Sequence, residues 1–338
     1  MTSPIHIGFV ALTDCAPLVV AREAGFFREQ GLEVELERQT SWEQAERRLT
    51  DGSLQASHVL ATLPLRAALA LSETPAPLCT AWILCRGGNA ITASNAFWKK
   101  CQGGLAEGIS NGGIPVPLRL GVIHRFSPHE YHLREWLRQQ ELDPDQVAQW
   151  VVVPPQEMVG RLRDGLMEAF CAGEPWNQRA TSSKLGAVAA LGSDLLPDRA
   201  EKALAVRLQW HRQHREEHAG LLRALDRAGR FLSADENLPQ VADWLASDIY
   251  VNSVRDLLFS DLRGDLDAGF RRRVGDHRFL RFWGDHTNVP RLGDAQAWLS
   301  TFAEWGHCHS SLLEADLSEI YLEGFHREVL EASRVESE

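Results

Sequence analysis

Two stretches of the sequence show the same succession of elements, and this repetition constrains the fold more than any other feature. In the first stretch, the residue pattern predicts a strand over 5–10, a helix over 17–30 and a strand over 33–37. In the second stretch, it predicts a strand over 118–123, a helix over 129–140 and a strand over 150–153. A strand, a helix and a second strand in this order are typical of a parallel α/β unit.

The two stretches match at single residues as well as in their elements. Gly8 corresponds to Gly121 and Asp51 to Asp164, each pair 113 positions apart in the numbering. Two unrelated βαβ units would also share the strand–helix order, and this alternative stays open. The matches at one spacing favour a duplication, and they predict an α/β fold with two lobes.

The predicted lobes divide the chain at two places. Residues 1–86 and 190–338 are predicted to form lobe I, and residues 87–189 to form lobe II. The part of the chain after about residue 197 has a mainly helical pattern, for example over 199–232 and 239–246.

In open α/β sheets the ligand lies beyond the carboxyl ends of the strands. The loops 13–16 and 126–129 are therefore expected to face a ligand cleft, where helix N-termini suit a small anion.

Composition and charge exclude several classes of function. The 338 residues carry a formal net charge of −11, with 35 Lys and Arg against 46 Asp and Glu. An acidic surface repels phosphate backbones, so we expect no direct nucleic-acid binding. No apolar run reaches the length of a membrane span, and we expect no membrane insertion. The six scattered cysteines indicate reduced, mostly buried thiols, and the first residues do not resemble a signal peptide; both favour a cytoplasmic protein.

No catalytic motif is recognisable, and we expect the protein not to be an enzyme. His211, His214 and His218 share one helix face by spacing, which permits metal ligation, but the charged residues around them favour a solvated face. Glu174 could serve as a general base, but nothing in the pattern supplies a nucleophile or a cofactor for it. Cys15 with His129 is the one reactive pair that could be nominated.

Several motifs of the chain resemble a known family, the nitrate and bicarbonate solute-binding proteins of ABC transporters, or NrtA/CmpA type. The resemblance extends over about residues 5–310. Its motifs are TDCAPL at 13–18, AGFF at 24–27, GLEV at 31–34, TSW at 40–42, LPL at 63–65, GNAIT at 88–92 and GEPWN at 173–177. It implies a type II periplasmic-binding-protein fold, in which two α/β lobes surround a ligand cleft.

The resemblance also implies a set of ligand-binding residues. Four positions match contacts of the nitrate-binding branch, and two more lie in the GEPWN motif; they are Trp42, Asn89, His129 and Lys202, followed by Glu174 and Trp176. The family has glutamine where Asn89 stands, so the amide is kept on a shorter arm. Together these side chains offer donors and one positive charge to a planar monovalent oxyanion, without a cofactor or a metal.

The residue at position 202 distinguishes nitrate from bicarbonate in this resemblance. The bicarbonate branch has an acidic residue near that position and uses calcium, whereas this chain has lysine there. Glu201 is adjacent, so an alignment shifted by one residue would reverse the interpretation. We interpret Lys202 as the matching residue, which favours nitrate or nitrite.

Two functions remain open for a protein of this type. The predicted cytoplasmic location is typical of the NasS-type sensors, which bind nitrate or nitrite and restrain an antiterminator, NasT, with an RNA-binding ANTAR domain. The resemblance then implies that antiterminator as the protein partner. The alternative is a substrate-binding component of a nitrate or bicarbonate ABC transporter.

Overall fold

We describe the protein from a computed structural model, which covers residues 4–71, 76–270, 272–276, 279–284 and 286–335. The chain divides into two compact units. The first unit comprises residues up to 86, 200–255 and 281 onward, and the second comprises 87–199 and 256–280. The predicted boundary after residue 86 coincides with this division. Residues 190–199 and 256–280, which the sequence analysis gave to lobe I, fall in the second unit.

A short hairpin explains why residues 256–280 group with the second unit. Asp267, on the first hairpin strand, exchanges two hydrogen bonds with the side-chain amide of Gln178, at 3.1 and 3.3 Å. Arg272, on the second hairpin strand, donates to the carbonyl of Val188 at 2.9 Å. These bonds join the hairpin to a helix and a strand of the second unit.

The strands of the described residues are numbered in chain order. They are β1 (Ile5–Val10), β2 (Val34–Gln39), β3 (Ala56–Leu60), β4 (Leu78–Gly87), β5 (Asn89–Ser94), β6 (Leu118–Val122), β7 (Ala148–Val152), β8 (Ala169–Gly173), β9 (Gly186–Leu191), β10 (Ala200–Arg207), β11 (Asp265–Gly269), β12 (Arg272–Gly275) and β13 (Leu280–Arg281). They form a six-stranded sheet in the order β13-β4-β10-β3-β1-β2, a five-stranded sheet in the order β7-β6-β8-β5-β9, and the hairpin β11-β12.

The α-helices are numbered in the same way. They are α1 (Ala16–Glu23), α2 (Phe26–Glu29), α3 (Trp42–Thr50), α4 (Leu63–Ala68), α5 (Asn95–Lys100), α6 (Leu105–Ser110), α7 (Pro128–Arg138), α8 (Pro144–Val147), α9 (Met158–Arg163), α10 (Trp176–Ser182), α11 (Gly192–Leu195), α12 (Leu208–Gln213), α13 (Arg215–Leu232), α14 (Leu238–Ala246), α15 (Arg255–Arg263), α16 (Leu292–Glu304) and α17 (Glu323–Val335). In the described part of the chain, none of these helices is both long and apolar enough to span a lipid bilayer.

The predicted repeat is present in both sheets. In the first unit β1 pairs in parallel with β2 and β3, and in the second unit β6 pairs in parallel with β7 and β8. Gly8 is paired with Ser57, and Gly121 with Phe170, so that both pairs obey the same 113-residue offset. A Cβ on Gly8 would lie 2.5 Å from the Leu54 side chain, and one on Gly121 would lie 2.6 Å from that of Met167. Both glycines therefore serve the same purpose, which is close packing against the next strand.

The antiparallel strand added to each sheet extends the correspondence to two predicted ligand residues. Lys202 on β10 lies opposite Leu60 on β3, and Asn89 on β5 lies opposite Gly173 on β8. Leu60 and Gly173 are themselves related by the 113-residue offset. Lys202 and Asn89 thus occupy equivalent register positions in the two sheets. They are also 113 residues apart, but in the opposite order along the chain, since Asn89 of the second unit precedes Lys202 of the first.

Two predicted helices are wrong in part. Residues 200–207, predicted as helical, form strand β10, which is buried along most of its length and lies between β3 and β4. The predicted helix over 17–30 is interrupted by Gly25, whose φ of 81° is left-handed, and α2 begins after it. The predicted helices over 129–140 and 239–246 are observed, as α7 and α14, with ends shifted by one or two residues.

Candidate functional site

In the first unit, polar side chains collect where the parallel strands end. After β1 the chain makes one 3₁₀ turn, Thr13–Cys15, before α1 begins at Ala16. This turn places Asp14 in the interior, with 3% of its surface exposed. His58 on β3 and Lys202 on β10 are both fully buried nearby. We call Asp14, Trp42, His58 and Lys202 the first-unit cluster.

Asp14 lies within ion-pairing distance of two of these side chains. Its Oδ2 is 3.2 Å from Nζ of Lys202, and its Oδ1 is 3.2 Å from Nε2 of His58. Burial alone raises the pKa of a carboxyl group, but Lys202 and His58 outweigh it and hold the pKa of Asp14 below its usual value. Burial lowers the pKa of Lys202, but Asp14 outweighs it, so the pKa of the lysine is raised. The ion pair with Asp14 therefore favours the charged ammonium form of this buried lysine.

Trp42 closes the cluster from the first turn of α3. Its position is fixed by the preceding Ser41, whose hydroxyl accepts a hydrogen bond from the backbone N–H of Gln44 at 3.2 Å. The indole ring lies edge-on to the His58 ring, with centroids 5.0 Å apart, and Nζ of Lys202 is 5.8 Å from the indole centroid. The structure thus brings two of the predicted ligand residues, Trp42 and Lys202, together.

Two nitrogen atoms of the cluster that are not in an ion pair are buried without a hydrogen-bond partner in the described part of the chain. They are Nε1 of Trp42 and Nδ1 of His58. A buried donor left unsatisfied costs about 1–3 kcal/mol, so atoms of this kind indicate either a bound ligand or ordered water. The cluster can therefore offer an indole N–H, an imidazole nitrogen and an ammonium group to an oxyanion.

The identity of the residue that meets Trp42 is also clear. Consecutive residues of a strand point to opposite faces of the sheet. The ammonium of Lys202 contacts Asp14 and the indole, which places the lysine, and not Glu201, in the cluster.

In the second unit, His129 lies in the first turn of α7. Ser127 caps this helix by accepting from the backbone N–H of Glu130, and Pro128 occupies the first helical position. The carboxylate of Glu130 accepts from the backbone N–H of Phe126 at 2.8 Å, which fixes the entry of the chain into the helix. His129 is fully buried at the start of this well-defined helix.

The other predicted ligand residues of the second unit lie at the carboxyl end of β8. Asn89 is paired with Gly173, the last residue of that strand, and Glu174 follows it directly. Glu174 is 1% exposed; its Oε2 accepts from the backbone N–H of Gln178 at 3.0 Å, while its Oε1 has no partner among the described residues. Trp176 begins α10, and its Nε1 is likewise buried without a partner there.

The sequence analysis missed two members of the first-unit cluster. Asp14 lies in a loop that the duplication argument had singled out, so its position, though not its charge pairing, could be foreseen. His58 lies inside a short strand with no motif around it, and only the pairing of β3 with β10 brings it to Lys202.

Cys15 and His129, the nominated reactive pair, belong to different units. Burial raises the pKa of the Cys15 thiol far above its usual value, which disfavours the nucleophilic thiolate.

The three histidines on the α12–α13 segment are not a solvated face, and that prediction is wrong. His211 and His218 are buried, with their Nδ1 atoms 2.8 Å apart, and both rings pack on Phe325. His214 is half-buried and stacks on Trp210. Within the described ranges, no group of three or more His, Cys, Asp and Glu side chains is arranged to hold a metal ion.

Replacement of His218 by phenylalanine is expected to flatten the pH dependence of stability in acid. Burial, with His211 and Arg215, lowers the pKa of His218 from 6.5 to about 3. Since the unfolded chain gains this proton first, stability falls as the pH drops from about 6.5 towards 3, by up to about 1.4 kcal/mol per pH unit from this residue. Urea unfolding between pH 4 and 7 measures the slope. The exposed His309→Asn variant is the control, and an unchanged slope in His218→Phe would contradict the assignment.

Comparison with known proteins places the chain in a family. The model of the NMT1-like family matches residues 2–246. The nitrate/nitrite binding protein NrtA of Synechococcus elongatus is 30% identical over 324 residues, covering 91% of this chain and 72% of that protein. The nitrate import ATP-binding protein NrtC of Synechocystis is 32% identical over 309 residues, which are 90% of this chain but 46% of that protein. The chain thus spans about half the length of that relative.

Solved structures agree on the fold. The periplasmic nitrate-binding protein NrtA from Synechocystis matches with a TM-score of 0.93 and 25% identity, over 99% of this chain and 90% of that chain. The alkanesulfonate-binding protein SsuA from Xanthomonas axonopodis matches with a TM-score of 0.67 at 13% identity, over 96% of this chain and 98% of that chain, which supports the fold alone.

The two repeated α/β units and these structural matches define a solute-binding protein with the type II periplasmic-binding-protein fold, as predicted. The chain belongs to the NMT1-like family and, within it, to the NrtA/CmpA type of solute-binding proteins.

Proposed function

We propose that this protein binds nitrate or nitrite. The observation that carries the proposal is the first-unit cluster, where a buried ammonium is accompanied by Nε1 of Trp42 and Nδ1 of His58, both buried and without a hydrogen-bond partner among the described residues. A planar monovalent oxyanion needs donors of this kind in a dry environment. The names of the NrtA relatives, which are nitrate or nitrite binding proteins, support the same ligand.

Each unit offers its own contacts under this proposal. Trp42 and Lys202 belong to the first unit, and Asn89, His129, Glu174 and Trp176 belong to the second. Their role is binding and not catalysis, and the buried, protonated thiol of Cys15 supports this. Bicarbonate carries the same single charge, so the preference for nitrate rests on the resemblance, in which the bicarbonate branch has an acidic residue near position 202 and uses calcium.

Calorimetric titration of the purified protein tests the ligand. We expect micromolar binding of nitrate or nitrite in the presence of a chelator, equivalent to about −8 kcal/mol. Bicarbonate with calcium is the comparison. Binding of bicarbonate alone would reassign the ligand, and absence of binding by all three anions would overturn the proposal.

We further propose that the protein is a cytoplasmic sensor whose partner is an ANTAR-domain antiterminator of the NasT type. All six cysteines are free, and four of them are buried, which is typical of proteins in reducing compartments. For such a switch, the anion must bind the free protein and the partner complex with different affinities. A coupling of about 1–3 kcal/mol shifts the partner affinity several-fold to about a hundred-fold.

The alternative is a binding component of a nitrate or bicarbonate ABC transporter. The matches to NrtC and to bicarbonate transport ATP-binding proteins favour it. In each of these transport proteins, a region similar to this chain is one part of a longer protein. Co-purification with the antiterminator, with and without nitrate, separates the two roles. Nitrate-dependent release supports the sensor, whereas nitrate binding without any complex supports the transporter.

A further inference from the structure

Among the described residues, a buried carboxyl group of the second unit lacks the partners that an ionised carboxylate requires. Glu174 is 1% exposed, and one of its oxygens, Oε1, has no hydrogen-bond partner among the described residues. The other oxygen, Oε2, is held by the backbone N–H of Gln178 at 3.0 Å. A buried charge normally requires an ion pair or a full set of hydrogen bonds. The carboxyl group of Glu174 is therefore oriented by hydrogen bonding, but no ion pair with a described residue compensates its charge.

Among the described residues, no charged or titratable side chain around Glu174 supplies that compensation. The elements packed against β8 and α10 carry the following charged and titratable groups: Arg119 on β6; His129, Glu130, Tyr131, His132, Arg134, Glu135 and Arg138 on α7; Arg161 and Arg163 on α9; Cys171 on β8; Arg179 on α10; and Asp265 and Asp267 on β11. None of them is a hydrogen-bond partner of Oε1. Several have partners elsewhere, such as Arg161 with Glu157 and Arg134 with Glu130.

The neighbouring polar groups indicate what kind of ligand atom would meet this carboxyl. Trp176 Nε1, also buried and without a partner in the described residues, can only donate a hydrogen bond. A ligand that satisfies it must present an acceptor atom. Glu174 lies two residues before Trp176, and its Oε1 can donate to an acceptor atom only when the carboxyl group is protonated, because an ionised carboxylate can only accept.

We propose that Glu174 contacts the oxyanion as a neutral carboxylic acid, donating a hydrogen bond from Oε1, and that its ionisation weakens anion binding. This inference rests on the proposed function and makes Glu174 a residue that couples ligand affinity to pH. The carboxyl group of Glu174 exchanges its proton with solvent in an ordinary acid–base equilibrium. No covalent bond to the ligand is formed.

The expected pH range follows from the environment of Glu174. Burial raises its pKa to about 7, against hydrogen bonds from Gln178 and Asn177 that lower it. The protonated fraction of a group with this pKa falls about tenfold between pH 6 and pH 8. The affinity for nitrate is expected to fall by the same factor, and binding at pH 8 is expected to be accompanied by proton uptake.

Calorimetric titration of nitrate at pH 6 and pH 8, in buffers of different ionisation enthalpy, tests the inference. In Glu174→Gln the amide donates at every pH, so we expect an affinity near that of the unmodified protein at pH 6, independent of pH and with less proton uptake. In Glu174→Ala we expect weaker binding, about tenfold, without this pH dependence. Glu107→Gln, an exposed glutamate of the same unit, is the control and is expected to keep the tenfold change.

Two outcomes overturn the inference, and a different one overturns the proposed function. The inference fails if Glu174→Gln keeps the tenfold pH dependence, because a group other than Glu174 would then be responsible for it. It also fails if the unmodified protein binds nitrate equally at both pH values. If the unmodified protein binds neither nitrate nor nitrite at any pH, the proposed function fails. Thermal melts of each variant identify any loss of binding that is due to unfolding.

Discussion

Replacement of Lys202 by methionine is expected to abolish nitrate binding, with a loss of affinity of at least about 100-fold. The variant keeps the length and apolar stem of the side chain and removes the buried ammonium that lies 3.2 Å from Asp14 and 5.8 Å from the Trp42 ring. Charge-assisted hydrogen bonds to an oxyanion are the strongest that the cluster offers. Calorimetric titration with nitrate measures the effect.

The same variant is expected to be less stable, by about 3–5 kcal/mol, because it leaves the carboxylate of Asp14 buried without its cation. The double variant Asp14→Asn, Lys202→Met removes both charges and separates the two effects. We expect it to recover most of the stability but none of the binding. Nitrate affinity unchanged in Lys202→Met would remove the lysine from the site. A charge reversal to glutamate is a poorer test, since it places a second carboxylate beside Asp14.

Replacement of Trp42 by phenylalanine is expected to weaken nitrate binding about 10- to 100-fold. The phenyl ring keeps most of the contact with His58 but lacks Nε1, the buried donor without a partner in the described residues. A hydrogen bond to a charged acceptor contributes about 1.5–3 kcal/mol, which corresponds to this range. Because the indole N–H makes no hydrogen bond to the described residues, the loss of stability should be limited to the smaller ring volume.

Trp82→Phe is the matched control for this prediction. Trp82 lies in the same unit on β4, is 1% exposed, and also has a buried Nε1 without a partner among the described residues. Its ring packs on His326 and is outside the first-unit cluster. We expect similar melting temperatures for the two variants and a loss of nitrate affinity only in Trp42→Phe. Equal affinities in the two variants would show that the Trp42 N–H does not contact the ligand.

The parallel parts of both sheets could be predicted from sequence because they depend on local patterns. β1 was predicted with its observed bounds, and the offset between Gly8 and Gly121 correctly indicated the repeated βαβ units. These features arise from the alternation of apolar residues and from glycines required for close packing. The family resemblance added the ligand residues that no pattern in the chain could have assigned.

The strand that carries Lys202 could not be predicted from its own composition. Glutamate, lysine, alanine and leucine in β10 favour a helix by intrinsic propensity. The segment becomes a strand because it pairs on both sides, with β3 and with β4, in the interior of a sheet. For the same reason, the pairing of Asp14 with both His58 and Lys202 was missed, since it exists only after strands distant in sequence have paired.

The insertion of β10 between β3 and β4 has a consequence for how the protein is assembled during synthesis. The chain leaves the first unit after β4, forms the strands β5–β9 of the second unit, and only then returns with the strand that fills the first sheet. A bond such as that from the Thr80 hydroxyl to the Leu204 carbonyl spans 124 residues. Closing contacts of that range is slow compared with local pairing. A nascent or truncated chain that ends before residue 200 therefore lacks the only lysine of the predicted site, and anion binding becomes a property of the completed protein.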